Sequence, residues 1–290
     1  MPTFVHTGLQ DVITEFAVML VGQKGNDYSV LGTAIIIGPH IALTARHVAE
    51  EYIKRYDGIE RLGELGGELS FALQAVQFLD TGMRGQTWDV RKIFYNRELT
   101  DVALLYLHPV NESQRTFQWR YPKIRLLPPA VGSMVSAFGY HSSVATLRED
   151  GVLQIGTNPS HHTGPSRRFT TTDAMRSCSP SRATGPMPRF DPGMSGGPVF
   201  GDGHLCGIIC SNLLPENPGV GEHTSHVATL WPAMGVLVDF DRAGHPQGIS
   251  YQAIELARDK FIDAVDWERV SVITNPNGTI RVECRVPGPA

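Results

Sequence analysis

The sequence predicts an all-β fold, a sandwich or barrel, on three observations. Apolar runs of strand length recur through roughly the first 230 residues. Turn formers separate them: the 290-residue chain has 30 glycines and 20 prolines, against an average of about 12% for the two together. The alternation of strands with long helices that a parallel sheet requires is missing.

Each element has its own signal. Phe16 to Val21 reads as a first buried strand. Leu31 to Gly38 and Ile41 to Thr44 form a hairpin across Gly38-Pro39-His40, and Val48 to Tyr56 is a short helix. Further strands are expected at Leu69–Phe78, Trp88–Phe94, Val102–Leu107, Val131–Phe138 and Val152–Ile155. Arg168–Thr172, Pro198–Phe200, Leu205–Cys210 and Val227–Trp231 complete the set. Asn158 to Arg167 and Arg176 to Arg189, dense in Ser, Thr, Pro and Gly, read as surface loops. After Asp239 the pattern changes. Ser250 is placed to cap a helix over Tyr251–Ala264, and Val270–Thr274 and Thr279–Val286 make a hairpin around Asn275-Pro276-Asn277-Gly278.

Composition excludes several classes. With 41% hydrophobic and 19% charged residues the chain is ordinary globular material, and a net charge of -4 argues against nucleic acid as a partner. The first apolar run has six residues, shorter than the roughly 7–15 of a secretory leader or the roughly 20 of a membrane helix. The expected protein is therefore soluble, cytoplasmic and without a membrane partner. The four cysteines fit that compartment. Cys206 and Cys210 on one strand would lie about 13 Å apart, too far to bridge. Reduced thiols are expected, and no metal or cofactor site is. The adjacent His161-His162 pair lacks accompanying ligands.

The strongest local signal is Asp191-Pro192-Gly193-Met194-Ser195-Gly196-Gly197-Pro198. Flanking glycines permit a tight turn that exposes a serine hydroxyl and leaves backbone N–H groups free for a developing oxyanion. A serine needs a base, and Thr44-Ala45-Arg46-His47 ends a buried strand with a histidine. Thr100-Asp101-Val102-Ala103-Leu104-Leu105 sets an acid at the head of another strand. Taken singly, such residues are more often core, turn and loop positions; as an ordered trio they are not. Gly193 to Gly197 also fits the nucleophile elbow of an α/β-hydrolase esterase, with Asp239 or Asp241 and His245 as partners. That fold requires a helix directly after the serine, where this sequence has Gly-Gly-Pro and strand-like residues.

The order His47, Asp101, Ser195, with gaps of 54 and 94 residues, resembles the chymotrypsin/trypsin-like serine peptidases over about Phe16 to Ala233. The resemblance implies two six-stranded antiparallel β-barrels, here followed by a C-terminal helix and β-hairpin extension. The implied divisions are residues 1–125 carrying His47 and Asp101, 126–239 carrying Ser195, and 240–290. It further implies His47 as general base, Asp101 as its orienter, Ser195 as nucleophile, and the Gly193 and Ser195 N–H groups as oxyanion hole.

Met194 departs from the digestive and clotting branch, which has an aspartate there to receive a new N-terminus. Activation by clipping is therefore not expected. Thr170-Thr171-Thr172-Asp173-Ala174 is similar to the bacterial high-temperature-requirement branch, here without a PDZ domain. The implied partners are a protein or peptide substrate and an activating protein, in a setting such as stress or antiviral defence. The alternative is a latent or inactive binding module on the same fold. Arg189 falls at a pocket-base position, Cys210, Ser211 and Asn212 resemble the pocket wall, and His226 lies opposite. Arg189 with His226 would favour an acidic P1 side chain, whereas a solvated loop would leave Arg189 without that role.

Overall fold

β-branched and aliphatic residues concentrate between positions 17 and 107, and there they close a sheet on itself. The computed structural model describes residues 12–57, 67–79, 84–149, 153–169, 177–180, 190, 193–213, 224–239 and 249–285. Strands β1 (Ala17–Lys24), β2 (Asp27–Gly38), β3 (Ile41–Ala45), β4 (Gly67–Leu79), β5 (Arg84–Tyr95) and β6 (Val102–Pro109) form an antiparallel barrel in the order β1–β2–β3–β6–β5–β4. Ile35, Ile36, Ile37, Ile41 and Leu43 are buried on both faces of their strands. One face fills the barrel and the other meets neighbouring elements, which is why these runs are continuous rather than alternating. The β2–β3 turn places His40 at φ 64°, with Nδ1 3.0 Å from Leu107 O. Helix α1 (Arg46–Tyr52) leaves β3 directly and ends in one wider turn over Ile53–Asp57, and a single-turn α2 (Glu112–Arg115) follows β6.

The second barrel is assembled from β7 (Met134–Tyr140), β10 (Pro159–Phe169), β11 (Ser177–Pro180), β12 (Pro198–Gly201), β13 (His204–Leu213) and β14 (Thr224–Thr229). Its order is β10–β11–β14–β13–β12–β7, and the β11–β14 seam rests on Ser177↔Ala228 and Cys178↔Val227. A separate hairpin, β8 (Val144–Leu147) with β9 (Leu153–Gly156), follows β7; β8 has no counterpart among the expected strands. The barrels meet through Phe78, Phe138 and Tyr140, and the Tyr140 hydroxyl donates to Ala17 O at 3.3 Å.

Three expectations require correction. Asn158 to Arg167 is not a loop: it is most of β10, paired with β7 from Pro159↔Tyr140 to Pro165↔Met134. Its other edge meets β11 only from Ser166 onward, so prolines and polar side chains are tolerated and the apolar signature is lost. Within Arg176–Arg189, residues 177–180 are strand β11, and residues 181–189 lie outside the described residues. Thr170–Ala174 also lies outside them. Finally, the helix expected over Tyr251–Ala264 shrinks to α3 (Ile254–Arg258). Tyr251 and Gln252 instead form β16, paired with β15 (Leu237–Val238). Ala253, not Ser250, is the cap residue and makes no side-chain bond. Lys260 at φ 58° ends the helix, and Phe261 and Ile262 both return their N–H groups to Leu256 O.

The reason for that break is tertiary. After α3 the chain is drawn against the segment that joins the barrels: Ile124 donates to Asp263 O, and Val265 donates to Ile124 O. Ile124 thus lies between Leu205 and Ala264. The Asp266 carboxylate then accepts the N–H groups of Leu126 at 2.8 Å and Leu127 at 3.0 Å. The expected C-terminal hairpin is present as β17 (Val270–Thr274) and β18 (Ile280–Cys284), and Val282 and Ile280 pack over Gly235. Asp266→Ala would orphan two buried N–H groups. The expected result is a loss of about 2–3 kcal/mol and a Tm lower by about 5 °C, read by thermal denaturation; an unchanged Tm would show that the tail does not brace the linker.

Candidate active site

Three segments from different strands bring the predicted residues together. β3 ends where α1 begins, so His47 stands in the first turn of α1 beside the barrel wall. Asp101 immediately precedes β6, which pairs with β3 from Ala45↔Val102 onward. That register, reinforced by Arg46 N–H donating to Asp101 O at 2.8 Å, puts the acid next to the histidine. His47 Nδ1 lies 2.9 Å from Asp101 Oδ2, and the His47 backbone N–H donates to Asp101 Oδ1 at 3.3 Å.

Asp101 is largely buried, and burial alone would raise its pKa. The hydrogen bond and charge of His47, the Arg46 guanidinium and the Cys210 thiol outweigh it and hold the carboxyl below its ordinary value. An ionised carboxylate only accepts, so Nδ1 of a neutral His47 carries the proton and Nε2 is left with its lone pair outward. A chain of alternating charge backs this pair. Arg46 Nε is 3.5 Å from Asp101 Oδ1 and donates to Thr100 O at 3.2 Å. Arg46 Nη1 pairs with Glu50 Oε1 at 2.9 Å, and Arg97 Nε reaches the same oxygen at 2.7 Å. Sequence reasoning missed Arg46, Glu50 and Arg97; only the proximity of Arg46 to His47 hinted at it.

The serine turn is built by close approach. Gly193 and Gly196 adopt φ 94° and 85°, conformations that favour glycine. Gly196 N–H donates to Ile209 O and Gly197 N–H to Met194 O, each at 2.8 Å. The N–H groups of Gly193 and Ser195 have no acceptor among the described residues. Met194 is fully buried, with Ala137, Phe190, Val199, Ile209 and Val227. Apolar packing therefore anchors the turn at the position where the digestive branch would use an ion pair.

Ser195 Oγ donates to Cys210 O at 3.2 Å, and among the described residues no hydrogen bond joins it to His47. The Cys210 thiol is buried 4.0 Å from Asp101 O, and burial with the Asp101 charge pushes its pKa well up. Cys210 so touches both the acid and the nucleophile. Ser211 pairs with His226 across β13 and β14, and Asn212 with Ser225. Burial lowers the pKa of His226 and favours the neutral ring, and its Nε2 is buried without a partner among the described residues. Arg189 lies outside the described residues, as do Asp241 and His245. The α/β-hydrolase alternative is overturned: the strand pairings are antiparallel, strand β12 rather than a helix follows the serine turn, and Asp239 pairs with Lys92. Among the described residues no cluster could hold a metal ion, and no helix is long and apolar enough to cross a membrane.

A family model described as "Trypsin-like peptidase domain" matches residues 32–208, a span that includes His47, Asp101 and Ser195. Among solved structures the chain is similar to neuropsin, a serine protease expressed in the limbic system of mouse brain. The identity is 15%, the match covers 78% of this chain and 94% of that one, and the TM-score is 0.48. No curated protein matches. Because the family model covers more than half of the 290 residues and its span carries the histidine, acid and serine segments in order, the chain belongs to the trypsin-like peptidase family.

Proposed function

We propose that this protein is a serine endopeptidase in which His47, Asp101 and Ser195 form the triad. The observation that carries the reading is the 2.9 Å contact between His47 Nδ1 and an ionised Asp101, beside a serine turn whose Gly193 and Ser195 N–H groups have no acceptor among the described residues. Nε2 of His47 takes the Ser195 proton as Oγ bonds to the peptide carbonyl carbon. The carbonyl π electrons move onto oxygen, and the two N–H groups stabilise that oxyanion. Collapse breaks the C–N bond, the His47 proton passes to the leaving amine, and an acyl-enzyme remains. Water, deprotonated by the same Nε2, attacks the ester carbon; collapse of this second intermediate breaks the C–Oγ bond, the His47 proton passes to Ser195 Oγ, and the acid product leaves.

A second reading is a latent peptidase, favoured by one contact. Ser195 Oγ rests on Cys210 O and must rotate to meet His47; substrate or an activating protein would supply that change. The buried, unbridged Cys206 and Cys210 support work in a reducing compartment; a specific protein substrate and a bacterial type of organism are part of the same proposal. For specificity we propose an acidic P1 side chain, met by Arg189 and by a hydrogen bond from the neutral His226 ring. Incubation with a P1-diverse fluorogenic peptide library tests both points. Cleavage after Asp or Glu, at least about tenfold faster than after Lys or Leu, is expected. Cleavage indifferent to P1 charge would reject the acidic pocket but keep the peptidase.

A further inference from the structure

Thr33, midway along β2, is fully buried, yet it is a polar residue directly before the apolar run Ala34–Ile37. Every hydrogen-bonding group it owns is used, and three of the four bonds cross to the other barrel. Its N–H donates to Ser195 O at 2.8 Å, and its hydroxyl donates to Gly193 O at 3.1 Å. The same hydroxyl accepts the Tyr140 N–H at 3.0 Å, while Thr33 O accepts from Thr44 Oγ1 at 2.7 Å. Its neighbour Gly32 lets the strand come this close: a Cβ there would stand 2.8 Å from Ser195 O.

We propose that Thr33 is a positioning residue for the oxyanion donors, its hydroxyl holding the Gly193 carbonyl from the opposite barrel so that the Gly193 N–H keeps facing the reacting carbonyl. This rests on the serine-peptidase reading. A carbonyl and the N–H groups on either side of it are coupled through two soft dihedrals per residue. Gly193, with no Cβ and φ 94°, has little of its own to fix those angles. The Ser195 N–H is steadied within the turn, because the carbonyl of its own peptide unit, Met194 O, accepts from Gly197 N–H. Among the described residues the Gly193 carbonyl has no such bond inside the turn, and Thr33 supplies its acceptor site with a donor from outside. Tyr140 N–H in turn orients the Thr33 hydroxyl, since an oxygen accepting from one side directs its proton to the other.

Thr33→Val keeps the shape and removes the hydroxyl; Thr33→Ser keeps the hydroxyl and removes a methyl. On a peptide substrate Thr33→Val is expected to lower kcat about 10- to 100-fold, with KM changed by less than about twofold. Affinity for a peptide boronic acid, which forms a tetrahedral adduct on Ser195, should fall by a similar factor, and Thr33→Ser should restore most of both losses. A residue that merely stabilises the fold would lower Tm in the valine variant and leave kcat and boronate affinity alone; that result overturns the proposal. If the valine variant does not fold, Thr33→Ala, which relieves packing and also lacks the hydroxyl, is measured against Thr33→Ser with the same expected split. Wild-type protein that neither cleaves peptides nor binds boronate would overturn the serine-peptidase reading itself, whereas active wild type with unaltered Thr33→Val overturns only the role of Thr33.

Discussion

Asp101→Asn is expected to lower kcat by about 10,000-fold while leaving Tm and KM close to wild type. The carboxylate accepts from His47 Nδ1 and from the His47 backbone N–H, and lies beside Arg46. An asparagine fills the same space and still offers one carbonyl oxygen to the backbone N–H and the guanidinium. Its amide, however, presents N–H groups toward Nδ1. The ring then carries its proton on Nε2, the atom that must accept one from Ser195, and the imidazolium formed during attack loses its counterion. Steady-state kinetics with a fluorogenic peptide reads the effect. A fall of less than about 10-fold would mean that Asp101 does not set the tautomer of His47.

Gly196→Ala carries the second large effect, on the fold of the site. A Cβ at Gly196 would stand 1.9 Å from Thr33 O and 2.2 Å from Thr44 Oγ1, on a backbone at φ 85°. Neither neighbour can retreat: Thr33 O is on the β2 backbone and Thr44 is fully buried on β3. The expected loss exceeds about 4 kcal/mol, seen as a much lower Tm or as protein that no longer folds, together with loss of activity. Gly203→Ala is the matched control. It also has positive φ, 75°, but nothing lies within 4 Å of the added Cβ. Its cost is confined to the left-handed backbone, about 1–2 kcal/mol. Equal losses in the two variants would show that strain, not the close approach of the barrels, dominates at Gly196.

These two sites also mark what the sequence made legible. His47, Asp101 and Ser195 stood out because each chemistry-bearing residue abuts an apolar strand or a glycine turn, and such junctions leave a mark in one dimension. Most strands of the first barrel were readable for the same reason: buried on both faces, they appear as unbroken runs such as Ala34–Ile37. β10 was not, because Pro159–Pro165 pairs with β7 alone and Ser166–Phe169 with β11 alone, and most of the strand carries the polarity of a loop. The tail helix was overestimated because Ile254, Leu256, Ala257 and Ile262 fit a helical stripe, whereas Ile124 and Asp266 draw the chain away after Arg258. The site's second layer was least legible. Thr33 bonds Gly193 across 160 residues, and Arg97 bonds Glu50 across 47. Their meaning depends wholly on which strands become neighbours.

The proposed function depends first on Ser195 acting as a nucleophile activated by His47. Its most direct measurement is intact-mass analysis after exposure to a fluorophosphonate probe, with peptide mapping of the adduct. One phosphonyl group is expected on wild-type protein, attached to Ser195, and none on Ser195→Ala or His47→Ala. An adduct on another residue, or equal labelling of Ser195 in the His47→Ala protein, would contradict it.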